Sequence, residues 1–164
     1  MSGFTPCLWF FEGDAEDALT RYVELFSAYG EASVLGASHA GEGVPGIAAG
    51  QVLTMTVSLH GRELMGLNGG PAQFAHSEAT SFLVSCGSQE EVDHYWDGLL
   101  AGGGRESQCG WLVDRWGISW QIVPTRLYEL LGGADPDGAQ RAMVAMLAMS
   151  RLDVATLEAA YAGE

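Results

Sequence analysis

A strand followed by a capped helix occurs twice in this chain, and the repeat limits the folds open to it. Asp14-Ala-Glu-Asp17 opens an apolar-periodic segment after the hydrophobic run Leu8-Trp9-Phe10-Phe11. Seventy-four positions on, Ser88-Gln-Glu-Glu91 does the same after Phe82-Leu83-Val84. Each opening pairs a helix-capping residue with an acid three positions later. That is the pattern of a capping box, in which the two side chains accept from exposed backbone amides at the helix start. A strand–helix unit used twice in 164 residues predicts a pseudo-symmetric fold with a cleft between its halves.

The rest of each half supports the repeat. Residues 5–11 form an apolar run with the length of a buried strand. Ala15, Ala18, Leu19, Tyr22, Leu25 and Phe26 then recur at the spacing of one buried helix face. Tyr29-Gly30 ends the helix, a short strand spans Val34 to Ala37, and Gly41 to Gly50 reads as a loop or flap. Val52 to Leu59 alternates as a half-buried strand does, and Glu63 to Asn68 is its hairpin partner across His60-Gly61. In the second half, Thr80 to Cys86 is a strand and Val92, Tyr95, Trp96, Leu99 and Leu100 mark a helix face. Strands follow near Glu106 to Gln108, Trp111 to Val113 and Ile118 to Val123. The fold class is therefore α+β. Residues 1–124 make one domain of two βαβββ modules, about 5–71 and 79–124, and residues 125–164 are a C-terminal helical extension. That extension predicts helices at 126–131, after Asp135-Pro136 and after Asp153. The apolar stripe Ala139, Ala142, Met143, Met146 and Leu147 must be covered, either by its own sheet or by a second subunit, and a homodimer is expected.

Charge narrows the partners. Twenty-one acids face seven bases, giving a formal charge of −14, and all seven bases are arginine. Such a surface repels phosphate backbones and anionic membranes, so neither nucleic acid nor membrane is expected as a partner. With no lysine, a side-chain Schiff base and a P-loop lysine are both out of reach. Cys7, Cys86 and Cys109 are odd in number and lack CxxC spacing, which points to a reducing compartment. No basic-then-apolar leader and no membrane-length run is seen, so a cytoplasmic location is expected.

The chain resembles the vicinal oxygen chelate superfamily of glyoxalase I, bleomycin-resistance proteins and extradiol dioxygenases, and within it the PhnB-like branch. The residues that carry the resemblance are Leu8-Trp9-Phe10, Leu67-Asn68-Gly69-Gly70-Pro71, and Gln89-Glu90-Glu91-Val92-Asp93 with Tyr95-Trp96. The strongest stretch is Cys109-Gly110-Trp111-Leu112-Val113-Asp114, running into Gly117-Ile118-Ser119-Trp120-Gln121-Ile122-Val123-Pro124. Ala159-Ala160-Tyr161-Ala162-Gly163 fits as well. The resemblance implies two βαβββ modules forming a curved sheet around a cleft. Many members of the branch carry the name 3-demethylubiquinone-9 3-methyltransferase. The glycine-rich stretches here follow helices or form the flap. A donor-binding loop would instead sit between a first parallel strand and its helix.

In metal-using relatives four ligands, usually histidine and glutamate, line that cleft. The resemblance carries those positions onto Cys7, Ser81 and Gln121, with the fourth near Met65. Thiol, thioether, hydroxyl and amide are a poor set for a hard-to-borderline divalent ion. No metal ligand and no cofactor is therefore expected, although His76 and Glu78, two apart on the linker, could serve as ligands or as an acid–base pair. Alternation places Cys7, Trp9 and Phe11 on one face of the first strand, and Ser119, Gln121 and Val123 on one face of the last. Cys7, Trp9, Met65, Asn68, Ser81, Trp111 and Gln121 then make an aromatic-walled pocket with polar anchors, the usual build of a small-molecule site.

Two functional classes fit these residues. One is a metal-free protein that holds a small aromatic or amphipathic ligand stacked on Trp9, with Gln121 and Asn68 as hydrogen-bond partners. The other is an enzyme of the isomerase, lyase or dioxygenase type, metal-dependent or using His76 and Glu78 as catalytic acid and base with Gln121.

Overall fold

Residues 3–164 are described by a computed structural model, and the chain divides into two units, Met1–Ala75 and His76–Glu164. The first unit runs β1 (Cys7–Phe10), α1 (Ala15–Phe26), β2 (Ala32–His39), β3 (Val52–Leu59) and β4 (Arg62–Asn68). Its sheet has the order β1-β4-β3-β2, with β1 parallel to β4 and the other pairs antiparallel. The six apolar positions spaced for one helix face are the six that α1 buries. On the sheet, Phe10, Met55, Val57, Leu59 and Leu64 are buried. Burying each large side chain stabilises the unit by about 1.5 to 3 kcal/mol. Helix and sheet approach closely at Gly66, where a Cβ would come within 2.9 Å of Leu19 Cδ1 and 3.2 Å of the Ala15 Cβ.

The second unit repeats the order with β5 (Phe82–Cys86), α2 (Gln89–Leu100), β6 (Arg105–Glu106), β7 (Trp111–Val113) and β8 (Ser119–Pro124). Its sheet order is β5-β8-β7-β6. Val92, Tyr95, Trp96 and Leu99 fill its helix–sheet core with Val84, Cys86, Leu112, Trp120 and Ile122.

Two expectations about helix starts come out differently. Ser88 is extended, and its hydroxyl accepts from the Glu91 amide at 3.3 Å. Glu91 returns a bond to the amide of Gly87 at 2.8 Å, one residue before the cap. Asp14, by contrast, has φ −89° and ψ 5°, which is not the extended cap conformation, and its side chain makes no cap bond. Asn68 takes its place. Its Oδ1 accepts from the Ala15 amide at 2.9 Å.

Strand lengths also shift. β2 covers eight residues where Val34 to Ala37 is predicted. Seven of the eight are exposed, so neither face carries the alternation that reveals a strand. β6 falls at Arg105–Glu106 instead of Glu106 to Gln108, because the chain turns at Gln108–Trp111 with Cys109 at φ 59° and Gly110 at φ 82°.

The tail forms α3 (Thr125–Leu131), α4 (Pro136–Leu147) and α5 (Val154–Ala162). Leu127, Leu130, Ala142, Leu152 and Leu157 bury together with Val123 of β8, and Ala145, Met146 and Met149 pack against them. Arg151 bonds Asp93 at 3.1 Å and also Asp97, both on α2. Gln89 donates to the Leu152 carbonyl and accepts from the Val154 amide. The inward part of the apolar stripe is thus covered by its own unit. Leu147, which periodicity assigns to the same stripe, is 54% exposed.

Candidate functional site

In the first unit the face of β1 turned away from α1 carries an aromatic cluster. Trp9 meets Phe74 edge to face at 5.4 Å between ring centroids, and Phe11 meets Phe74 at 5.6 Å. The strand exit Gly69-Gly70 holds the indole in place. Trp9 Nε1 donates to the Gly70 carbonyl at 2.9 Å. A Cβ on Gly69 would collide with the Trp9 ring, so only glycine fits beneath it. Beside this cluster lies a cavity of about 560 Å³. Phe11 and Glu12 line it from the β1–α1 turn, Glu16 from the first turn of α1, His39 from the end of β2, Gly46, Ile47 and Gln51 from the β2–β3 connection, and Asn68 from β4.

Cys7 lies opposite Met65 in the parallel ladder, and Trp9 lies opposite Leu67. The Cys7 thiol is surface-accessible, yet partial desolvation holds its pKa above the ordinary thiol value. Asn68 is 3% exposed, and both ends of its amide are engaged within the protein: Oδ1 with Ala15 and Nδ2 with the Val52 carbonyl, each at 2.9 Å.

In the second unit, Gln121 Nε2 donates to Ser81 Oγ at 2.8 Å. The register sets Leu83, Gln121 and Trp111 side by side across β5, β8 and β7, so the three share a face. Leu83 is 48% exposed there. Ser119 is buried, and its hydroxyl has no hydrogen-bond partner among the described residues. Asp114 has a structural role. Its Oδ1 accepts from the Trp116 and Ile118 amides and its Oδ2 from Trp120 Nε1, which fixes the turn into β8.

His76 and Glu78 stand in a loop and a turn, before the first residue of β5, so they do not share a strand face. His76 packs beside Gly117. Glu78 accepts from Arg105 at 3.0 Å in an exposed ion pair. His60 Nε2 is 3.0 Å from the Phe26 carbonyl at the end of α1. Among the described residues, no three His, Cys, Asp or Glu side chains are grouped to hold a metal ion.

Two positions escape sequence reasoning. Phe74 is an isolated aromatic in a linker of small and polar residues, and that isolation is the one signal it gives. Leu67 occupies the place in the first sheet that Gln121 occupies in the second: the 74-residue offset maps Trp9 onto Leu83, and these pair with Leu67 and Gln121. The resemblance puts the fourth position near Met65, two residues from Leu67.

Two βαβββ units with these sheet orders define a protein of the vicinal oxygen chelate class. Residues 2–123 match the family described as 3-demethylubiquinone-9 3-methyltransferase. The PhnB protein of Bacillus cereus, whose description carries the same methyltransferase name, is 30% identical, with a TM-score of 0.66 over 76% of this chain and 100% of that one. Protein PA1353 of Pseudomonas aeruginosa is 19% identical, with a TM-score of 0.58 over 76% of this chain and 98% of its own. The fosfomycin resistance protein FosX of Listeria monocytogenes is 15% identical, with a TM-score of 0.52 over 79% and 96% of the two chains. No curated protein matches. The chain belongs to the 3-demethylubiquinone-9 3-methyltransferase family, the PhnB-like branch of the class.

Proposed function

We propose that this PhnB-like protein binds a small aromatic or amphipathic molecule, without a resident metal and without transferring methyl groups. The observation that carries the reading is the Trp9–Phe74–Phe11 cluster. Phe11 belongs both to the cluster and to the wall of the neighbouring cavity, so a planar ligand entering there meets ring surface. Aromatic pairs contribute about 0.5 to 1.5 kcal/mol beyond area burial. Gln51 and His39 on the same cavity offer polar anchors. The second unit has an apolar surface of its own, where the exposed Leu83 stands beside Gln121 and Trp111.

Donor chemistry supports the metal-free part. Cys7 and Met65 are soft donors, Ser81 and Gln121 are neutral, and the Gln121 amide already donates to Ser81. Such a set does not fit the divalent ions that histidine and glutamate hold. The family's methyltransferase name finds no matching loop either. The β1–α1 and β5–α2 connections, 11–14 and 87–88, hold one glycine each, Gly13 and Gly87, and β8 runs into α3 with none between, where a donor-binding turn needs several. An acid–base role for His76 and Glu78 draws no support from their placement, since Glu78 is paired with Arg105.

A thermal-shift screen of small planar aromatics and amphiphiles tests the reading, with manganese, nickel, zinc and iron(II) salts in parallel. At least one organic class should raise Tm, and Trp9→Ala and Phe74→Ala should lose that rise while remaining folded. Stabilisation by metal ions alone would defeat it.

A further inference from the structure

We infer that the ligand of the Phe11 cavity is an organic cation, an aromatic or apolar body that carries an ammonium or amidinium group. The inference rests on the reading above that this cavity takes a small molecule, and it adds the charge. Two carboxylates, Glu12 and Glu16, stand on the wall, and no arginine lines it among the described residues. Phe11 precedes Glu12 on the same wall, so an apolar body can lie against the ring while its charged end meets a carboxylate. The volume of about 560 Å³ falls within the range of about 300 to 1,000 Å³ that encloses a drug-sized molecule.

Both carboxylates are available to a ligand. Neither has a hydrogen-bond or ion-pair partner among the described residues. The first unit contains two arginines, Arg21 and Arg62. Arg21 pairs with Glu24 at 3.6 Å, and Arg62 opens β4, at the other end of that strand from Asn68. The helix start does not need these acids as caps, because Asn68 already bonds the Ala15 amide. In the second unit, by contrast, an acid of the first helical turn is used internally, with Glu91 accepting from the Gly87 amide at 2.8 Å. Glu16 also suits the positive end of the α1 dipole, but Glu12 lies before the helix begins.

Magnitudes decide the sign of the preferred ligand. The cavity adjoins the N-terminus of α1, which taken alone favours an anion. That end of a helix carries about half a positive charge, and two carboxylates outweigh it. Among the described residues that line the cavity, only His39 can become positive, and even then the wall stays net negative. A metal ion fits less well than an organic cation, since among the described residues no three His, Cys, Asp or Glu side chains are grouped to hold one. Both carboxylates are exposed, so solvent screens them and the preference is modest.

Calorimetric titration of the untagged full chain with three probes of one shape tests the inference: naphthylmethylamine, naphthylmethanol and naphthoate. Working at about 0.15 M salt screens the overall charge of −14 beyond about 8 Å. The amine should bind about tenfold tighter than the alcohol, and the naphthoate should bind weakest. Combining Glu12→Gln with Glu16→Gln should bring the amine down to the affinity of the alcohol. Both positions are exposed, and either single variant carries the test if the pair fails to fold. An amine no tighter than a bound alcohol overturns the inference and leaves the small-molecule reading standing. So does a preference for the amine that the Gln variants keep, since the discriminating charge must then lie elsewhere. Calcium that displaces the amine in competition would also overturn it, by making the wall a metal site. If none of the probes binds, the small-molecule reading itself fails, and the inference with it.

Discussion

The Oδ1 of Asn68 accepts from the amide of Ala15 at 2.9 Å, so the last residue of β4 caps the first residue of α1 across 53 positions. Its Nδ2 donates to Val52, the first residue of β3, at 2.9 Å. One buried side chain thus ties three elements together at the wall of the cavity. Asn68→Ala leaves an amide and a carbonyl without these partners, and the expected loss is about 3 kcal/mol in urea unfolding. Asn68→Asp keeps the acceptor for Ala15 but gives up the donor to Val52, and should lose less. A loss below about 1 kcal/mol for Asn68→Ala would mean that water takes over both bonds.

Gly69 and Trp9 form a second coupled pair. Gly69→Ala drives a methyl group into the indole and should destabilise the first unit. In a Trp9→Ala background the three atoms nearest that methyl group are gone, and it should cost much less. The double-mutant cycle is expected to give a coupling of about 1 to 3 kcal/mol. Additive costs would show that the Gly69 backbone, and not the indole, resists the change.

Sequence alone shows the strand–helix repeat and both buried helix faces because a core imposes periodicity. Every residue assigned to the face of α1 is buried, and β3 begins and ends where its alternation does. β2 is under-read because its exposure erases that signal. Capping is legible only when local. Ser88 bonds an amide three residues away, whereas Asn68 reaches α1 from another strand, so Asp14 looks like a cap and is not. Of the candidate site, Trp9 is reached by alternation and Ser81 and Gln121 through the family resemblance, while the bond between those two is seen only in the structure. Phe74 joins Trp9 through a linker whose path no periodicity encodes.

Cysteine reactivity should separate the accessible Cys7 from the buried Cys86. Burial, with a smaller contribution from the Glu91 carboxylate, pushes the Cys86 thiol up to about 12. At about pH 8 a disulfide reagent should label the accessible Cys7 first and leave Cys86 unmodified until the protein unfolds. The same shift sets a pH dependence. The folded-state pKa lies above the unfolded one, so the stability from this group is complete below the ordinary thiol range. It falls as pH rises from there towards about 12. Cys86→Ala should flatten that alkaline slope in urea titrations, and a slope left unchanged would place its origin in other groups.

Asp153 gives the opposite slope, on the acid side. Its Oδ1 accepts from the Thr156 amide at 2.7 Å at the start of α5. Hydrogen bonds from the Thr156 side chain first, and then from its backbone, hold the carboxyl below its ordinary pKa. A carboxyl lowered in the folded state contributes stability that is present above the unfolded-state pKa and lost as pH falls through the folded value. The cap matters because α5 carries Leu157, which is fully buried against the tail core with Leu152. Asp153→Ala should cost about 1 kcal/mol near neutral pH. Asp153→Asn keeps an accepting oxygen that does not titrate, so it should retain most of that stability while losing this residue's share of the acid slope. Thermal melts of the three proteins between about pH 7 and pH 3 make the comparison. An Asn variant as acid-sensitive as the parent would show that the cap bond survives protonation.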